Sequence, residues 1–148
     1  MKKTLLIMPA IFYLTGCATS GTQTLNTNDS RECAKHFTYN GSFLAGRTFK
    51  THVFIPKVSK KIAMERAARY TINDGWQITN TNENLGIISA SQTVSYGKGK
   101  TVPLNISVEP HNNGVKVAMT YATSGGVTSP LDSIVNHFCA TIEAIEGK

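Results

Sequence analysis

The pattern nearest to a catalytic set lies close to the C-terminus, where Ser133 and His137 stand four residues apart with Asp132 beside them. Residues four apart on a helix share a face, so the hydroxyl and the imidazole would meet as nucleophile and base. A nucleophile also needs a strained, exposed turn and donors for an oxyanion, and a regular helix supplies neither. Asp132 is better explained as an acid in the first turn of a helix. We therefore expect no catalytic residues.

Two cysteines and two histidines could instead form a metal site or a disulfide. Cys33 stands three residues before His36, and His137 stands two before Cys139. These are zinc ligands by type, but positions two apart on a helix are separated by about 200° around the axis, so His137 and Cys139 would not face one ion. The preferred interpretation is a Cys33–Cys139 disulfide, with two separate thiols as the alternative. We expect no metal and no cofactor. His52 and His111, on a strand surface and in a turn, have no evident partners.

A cluster of positive charge is the other feature that could meet a partner. Basic residues give one side of a predicted helix this character: Lys57, Lys60, Lys61, Arg66 and Arg69. The same pattern is also typical of a solvated helix face, and Glu65 can pair with Arg69. The formal charge of +6 includes Lys2 and Lys3; without them, 13 Lys and Arg stand against 9 Asp and Glu. This mild excess does not indicate a nucleic-acid partner.

The elements that would position these residues follow from hydrophobic periodicity. Ser59 is a suitable N-cap for the first helix, and Gly75 is a suitable stop. The last helix has Ser129 as its predicted N-cap and Pro130 at its first position. Asn113-Gly114 is a strong hairpin signal. In chain order the pattern predicts a strand at 47–55, a helix at 59–74, strands at 76–81, 87–96, 101–109 and 115–122, and a helix at 130–146.

This order predicts an α+β fold: a two-layer sandwich in which an antiparallel sheet carries both helices on one face. The order resembles the helix-grip domains found in the component C lipoprotein of the β-barrel assembly machinery and in other small envelope lipoproteins. Asn73-Asp74-Gly75-Trp76 at the end of the first helix, and Leu85-Gly86-Ile87-Ile88-Ser89-Ala90 at the start of a strand, carry this resemblance. It spans about residues 47–146 and implies a helix-grip fold. It assigns no functional residue.

The N-terminus predicts the compartment. Lys2 and Lys3 precede an apolar run, Leu5 to Leu14, which is too short to span a bilayer. Leu14-Thr15-Gly16-Cys17 resembles the lipobox of bacterial lipoproteins. The resemblance implies that residues 1–16 are a cleaved signal and that Cys17 carries the lipid. Ala18, rather than Asp, favours the outer membrane in such proteins. Residues 17–30 are rich in Thr, Asn and Ser and predict a flexible tether; residues 31–148 form the single domain.

These features favour a non-enzymatic binding or adaptor module, lipid-anchored at the periplasmic face of the outer membrane, with the membrane and an envelope protein as its partners. The alternative is a carrier that holds a small apolar ligand between helix and sheet. A third hypothesis is an envelope hydrolase. A cleft that gathers His137 or His52 with a carboxylate would favour that hypothesis.

Overall fold

A computed structural model describes residues 21–25, 28–95 and 97–148. The signal segment and Cys17 lie outside the described residues. The helices are α1 (Glu32–Lys35), α2 (Lys60–Asn73) and α3 (Leu131–Glu146). The strands are β1 (Gln23–Thr24), β2 (Thr38–Ser42), β3 (Gly46–Pro56), β4 (Gln77–Asn82), β5 (Ile87–Thr93), β6 (Thr101–His111) and β7 (Gly114–Thr123). None of the described helices is long and apolar enough to cross a membrane.

The seven strands form one antiparallel sheet in the order β1-β2-β3-β7-β6-β5-β4. The β6–β7 hairpin confirms the signal around Asn113-Gly114, but its turn lies one residue earlier, with positive φ at Asn112. Gly114 is needed for another reason. A Cβ there would lie 2.2 Å from the carbonyl oxygen of Ile55 on the neighbouring strand β3.

One face of the sheet is apolar and covered by helices, which confirms the predicted α+β sandwich of helix-grip type. Alternate residues of the strands point into this core, as in Val102, Leu104, Ile106 and Val108 of β6. The apolar stripe of α3 lies on it, with Phe138 and Ile145 fully buried. Each such side chain contributes roughly 1.5–3 kcal/mol on burial. The opposite face of the central strands carries mainly polar and small residues.

The helix ends agree only in part with the expectations. Ser59 caps α2 through its side-chain oxygen, which accepts a hydrogen bond from the amide of Ile62 at 3.4 Å, and Gly75 follows with φ +84°. The predicted cap at Ser129 is wrong. The helix α3 begins at Leu131 with Pro130 as N-cap residue, because the Ser129 hydroxyl is instead hydrogen-bonded to the Tyr121 hydroxyl at 2.9 Å.

Several described residues before Arg31 make contacts with the domain. Gln23 and Thr24 pair with β2 as an edge strand, and Leu25 packs against the core. Asp29 holds the Arg31 guanidinium at 2.6 Å, and this contact lowers the pKa of Asp29 to about 2. These residues of the predicted tether therefore pack on the domain, because backbone pairing and an ion pair offset their lack of apolar surface.

Candidate functional site

The disulfide links the first helix to the last one. Cys33 of α1 and Cys139 of α3 are bonded, with their Cα atoms 5.4 Å apart, and both residues are buried. The buried hydroxyl of Thr51 on β3 donates to the Cys33 carbonyl oxygen at 2.6 Å. The predicted disulfide is confirmed. No group of three or more His, Cys, Asp or Glu in the described part of the chain could hold a metal ion.

His137 forms a hydrogen-bonded pair with a carboxylate that sequence reasoning missed. Its Nδ1 lies 2.9 Å from Oδ2 of Asp74, the residue that ends α2. His137 lies on the side of α3 that faces the end of α2. At that end, the turn Asp74-Gly75 connects α2 to β4. The His137 side chain is only 17% exposed, and its ring centroid lies 5.4 Å from that of Trp76. Asp132, which we considered as the acid, is exposed in the first turn of α3.

Burial and charge act on His137 in opposite directions. Burial lowers the pKa of the imidazole, and the Asp74 carboxylate opposes this shift. The neutral ring therefore predominates near neutral pH. Because an ionised carboxylate only accepts, Nδ1 carries the proton and donates it to Asp74. Nε2 is then left as a lone-pair acceptor. It is buried and has no hydrogen-bond partner among the described residues.

These residues line a cleft of about 260 Å³ at one end of the sandwich. Trp76 and Tyr121 supply its aromatic surface, with ring centroids 6.0 Å apart in an edge-to-face arrangement. Its polar groups come from five different elements or loops. The lining residues are Asp74, Trp76, Gln92, Tyr121, Ser129, Pro130, Ser133, Ile134 and His137. The cleft thus combines an apolar floor with several hydrogen-bonding side chains.

Ser133 and His137 share the cleft, as their spacing predicted. The pair resembles part of a nucleophile–base–acid arrangement, with Asp74 orienting the imidazole. No hydrogen bond joins Ser133 to His137 among the described contacts. Asp74 stands in the pattern Asn73-Asp74-Gly75-Trp76, but this pattern indicated only the end of a helix and not a partner for His137. Only the packing of α2 against α3 brings that turn to His137.

The residues of the predicted basic side of α2 make different contacts from one another. Arg66 does not face outward as expected, because its Nη1 donates to the carbonyl oxygen of Ile145 in α3 at 2.9 Å. Arg69 pairs with Glu65 at 3.0 Å on the exposed surface. Lys60 donates to the carbonyl oxygen of Asn84 at 2.7 Å. Lys57 lies in a turn with φ +60°.

A second, wider groove of about 620 Å³ lies between α2 and the edge strand β4. Lys60 and Lys61 line it, together with Glu65 and Glu83. Two positive and two negative side chains give this groove no net charge to select a partner. The structure therefore does not bring the five basic residues together into one surface.

The remaining histidines have partners that the sequence did not indicate. His36 and His52 stack with ring centroids 4.6 Å apart, and Nδ1 of His36 lies 3.0 Å from the carbonyl oxygen of His52. His111 meets the edge of Phe54 at 5.4 Å. Neither pair includes a carboxylate, so neither offers the acid–base set found at His137.

No family model matches the chain, and no curated protein matches it. Among solved structures, the chain is similar to Ara h 8.0201, with 14% identity and a TM-score of 0.45, over 70% of this chain and 97% of that chain. It is also similar to CalU16 from Micromonospora echinospora, with 11% identity and a TM-score of 0.38, over 86% of this chain and 96% of that chain. Neither likeness assigns a ligand or an activity.

Proposed function

We propose that this chain is a lipid-anchored envelope protein that binds a small ligand in the cleft beside His137 and Trp76. The observation that carries the binding proposal is a cleft of about 260 Å³ lined by His137, whose buried Nε2 has no hydrogen-bond partner among the described residues. A buried acceptor left unpaired costs about 1–3 kcal/mol, and a bound donor would remove that cost.

The lining of the cleft specifies the chemistry of the ligand. Neutral His137 requires a hydroxyl or amide N–H at Nε2, because a lone pair only accepts. Trp76 and Tyr121 favour a flat or apolar surface beside that donor. Gln92 and Ser133 offer both donors and acceptors. These groups together suit a small amphipathic molecule with several hydroxyl or amide groups, such as a sugar fragment.

Under this proposal, a carried ligand would not bind between helix and sheet, where the carrier alternative expected it. Between α3 and the sheet, the described core is filled by side chains such as Phe37, Phe49 and Phe138, which are fully buried. Space for a ligand is found at the end of the sandwich, beside the first turns of α3. The ligand would therefore be held at an open rim, and part of it would remain in contact with solvent.

Ligand binding can be measured directly by tryptophan fluorescence, because Trp76 is the chain's only tryptophan. Titration with wall-sugar fragments should change its fluorescence, and Gln92→Leu should weaken binding several-fold by removing a hydrogen-bonding group from the cleft. Gln77→Leu is the matched control, because Gln77 is exposed on β4 outside the cleft. Equal weakening by both changes, or binding that leaves Trp76 unaffected, would count against the cleft.

The lipid anchoring is supported by the signal-like leader and by the lipobox resemblance at Leu14 to Cys17. Acyl chains contribute about 0.8 kcal/mol for each buried CH₂, so several chains make release slow. Cys17→Ala should move the chain from the membrane fraction to the soluble fraction. Unchanged membrane association after this substitution would remove the anchor from the proposal.

Hydrolysis is the second candidate, and the Asp74–His137 pair beside Ser133 is the observation that favours it. In this version Nε2 of His137 takes the hydroxyl proton from Ser133 as the oxygen attacks the carbonyl carbon of an ester or amide, and the Asp74 carboxylate stabilises the imidazolium that forms. The imidazolium gives this proton to the leaving alcohol or amine as its bond to the carbonyl carbon breaks, and water then hydrolyses the acyl group from Ser133. A small shift of the Ser133 side chain, or of the bound substrate, must first close the distance between hydroxyl and imidazole. Apo structures of hydrolases often show such loose contacts.

A fluorophosphonate probe separates the two candidates, because it labels an activated serine covalently. Labelling of Ser133, found by mass after proteolysis and abolished by His137→Gln, would identify the hydrolase. Ser129 is the internal control, because its hydroxyl is already engaged by Tyr121. An unlabelled protein that still binds ligand through Trp76 would leave only the binding function.

A further inference from the structure

The hairpin between β2 and β3 presents two large apolar side chains to solvent at its tip. Phe43 is 49% exposed and Leu44 is 86% exposed. The other exposed large apolar residues of the described chain are spread over α2, the outer sheet face and the turn at Leu85. Two adjacent apolar side chains at a projecting tip are a feature that soluble surfaces usually avoid.

The tip is held firmly against the segment that follows β7. The amide of Gly126 donates to the carbonyl oxygen of Phe43 at 2.9 Å. A Cβ at Gly125 would lie 2.2 Å from the carbonyl oxygen of Leu44, so only glycine permits this approach. These contacts fix the backbone of the tip and leave the Leu44 side chain directed away from the protein.

The N-terminal strand leads toward the same tip. Gln23 pairs with Tyr39 and Thr24 with Thr38, so β1 runs antiparallel to β2. Since β2 runs toward Phe43, the described residues Gly21 and Thr22 lie on the side of Gln23 that is nearer the tip. Phe43 lies four positions after Tyr39, which is about 13 Å along the strand. Cys17 stands six residues before Gln23, and six residues reach about 20 Å. The acyl chains can therefore enter a bilayer that touches the tip.

The charged side chains in the loops nearest the tip are basic. Lys98 and Lys100 lie in the loop between β5 and β6, and Lys100 reaches the carbonyl oxygen of Gly125 at 3.0 Å. The acids at this end, Asp74 and Asp132, lie at the ends of α2 and α3 rather than in the loops around the tip. Basic residues beside an apolar tip are attracted to phosphate headgroups.

From these observations we infer that the hairpin tip is a second membrane contact, with Phe43 and Leu44 seated in the bilayer interface beside the lipid on Cys17. The inference rests on the lipid anchoring in the proposed function. It also fixes the orientation of the domain. The cleft at Trp76 and His137 lies at the same end as the tip, so its ligand enters from the membrane side.

The test uses the full lipidated chain in vesicles of phosphatidylethanolamine with a minority of phosphatidylglycerol. Leu44→Cys carries a polarity-sensitive fluorophore, and Leu85→Cys is the matched control. Leu85 is 64% exposed and lies in the β4–β5 turn at the opposite end of the sheet. Cys33 and Cys139 are bonded to each other, so in the absence of reductant neither is available to the label.

We expect nitroxide-labelled lipids to quench the fluorophore at position 44 several-fold more than at position 85, with blue-shifted emission at position 44 alone. Iodide in the aqueous phase should show the reverse preference. Equal quenching at both positions, with a lipid-modified N-terminus found by intact mass, overturns the membrane contact and leaves the anchor in place. An N-terminus without lipid overturns the anchoring, and the inferred orientation with it. Binding measured through Trp76 is independent of both results.

Discussion

His137 is the residue at which burial, charge and hydrogen bonding meet. Its pKa is lowered by burial more than the Asp74 carboxylate raises it. A base with a lowered pKa favours folding in its neutral form, and this stability is fully present above the unfolded pKa near 6.5. It is lost as the pH falls from there through the folded pKa, because the unfolded chain takes up the proton more readily.

We therefore predict that, as the pH falls below 6.5, the free energy of unfolding decreases less in the His137→Gln variant than in the wild type. The slope removed cannot exceed about 1.4 kcal/mol per pH unit for one proton. His52→Asn is the comparison: the pKa of His52 is also lowered, by burial and by the neighbouring His36 and Lys116. Because most of the His52 surface is exposed and its desolvation is only partial, its effect should be smaller. Urea unfolding at a series of pH values measures both, and a larger effect from His52 would contradict this account.

At the scale of elements, α2 and α3 are joined at one end by Asp74 and His137 and at the other by Arg66 and the carbonyl of Ile145. Arg66 places a cation against the C-terminus of α3, where the helix dipole is negative. Arg69, one turn further along α2, makes only the exposed pair with Glu65. The two arginines have therefore acquired different structural roles on one helix.

Arg66→Met should lower the free energy of unfolding by about 1.5–3 kcal/mol, because it removes a charged hydrogen bond at a partly buried carbonyl. Arg69→Met should change it by no more than about 0.5 kcal/mol, as expected for an exposed ion pair. Denaturant midpoints of the two variants measure the difference. Similar losses from both would mean that the contact with Ile145 does not stabilise the helix pair.

The periodic elements could be predicted from sequence because each carries its own signal. Strict alternation marks β6 and β7, and a 3.6-residue stripe marks α3. The short elements β1, β2 and α1 have few apolar residues and too little length for a period, so they were missed. The disulfide could be predicted from the number of cysteines. The Asp74–His137 pair could not be predicted in this way, since it depends on how two helices that are distant in the chain pack together.

At the scale of the whole molecule, the Cys33–Cys139 bond spans a sequence separation of 106 residues. A cross-link over a loop of this length restricts the unfolded chain strongly, and removal of such bonds typically costs about 2–4 kcal/mol. Cys33→Ser with Cys139→Ser should therefore lower the unfolding free energy of the oxidised protein by that amount. Reductant should destabilise the wild type similarly and leave the double variant unchanged. A reductant-insensitive wild type would refute this.

The same bond has a consequence for turnover by proteases. Every strand from β2 to β7 lies between the two cysteines, so a single cut in a surface loop, such as the one containing Lys98, would not separate the pieces. The clipped chain would migrate as one species until reduced. Both pieces would also stay together with any N-terminal lipid, because the bond joins the N-terminal piece to α3. Shedding from the membrane would then require a cut before Cys33 or a loss of the disulfide.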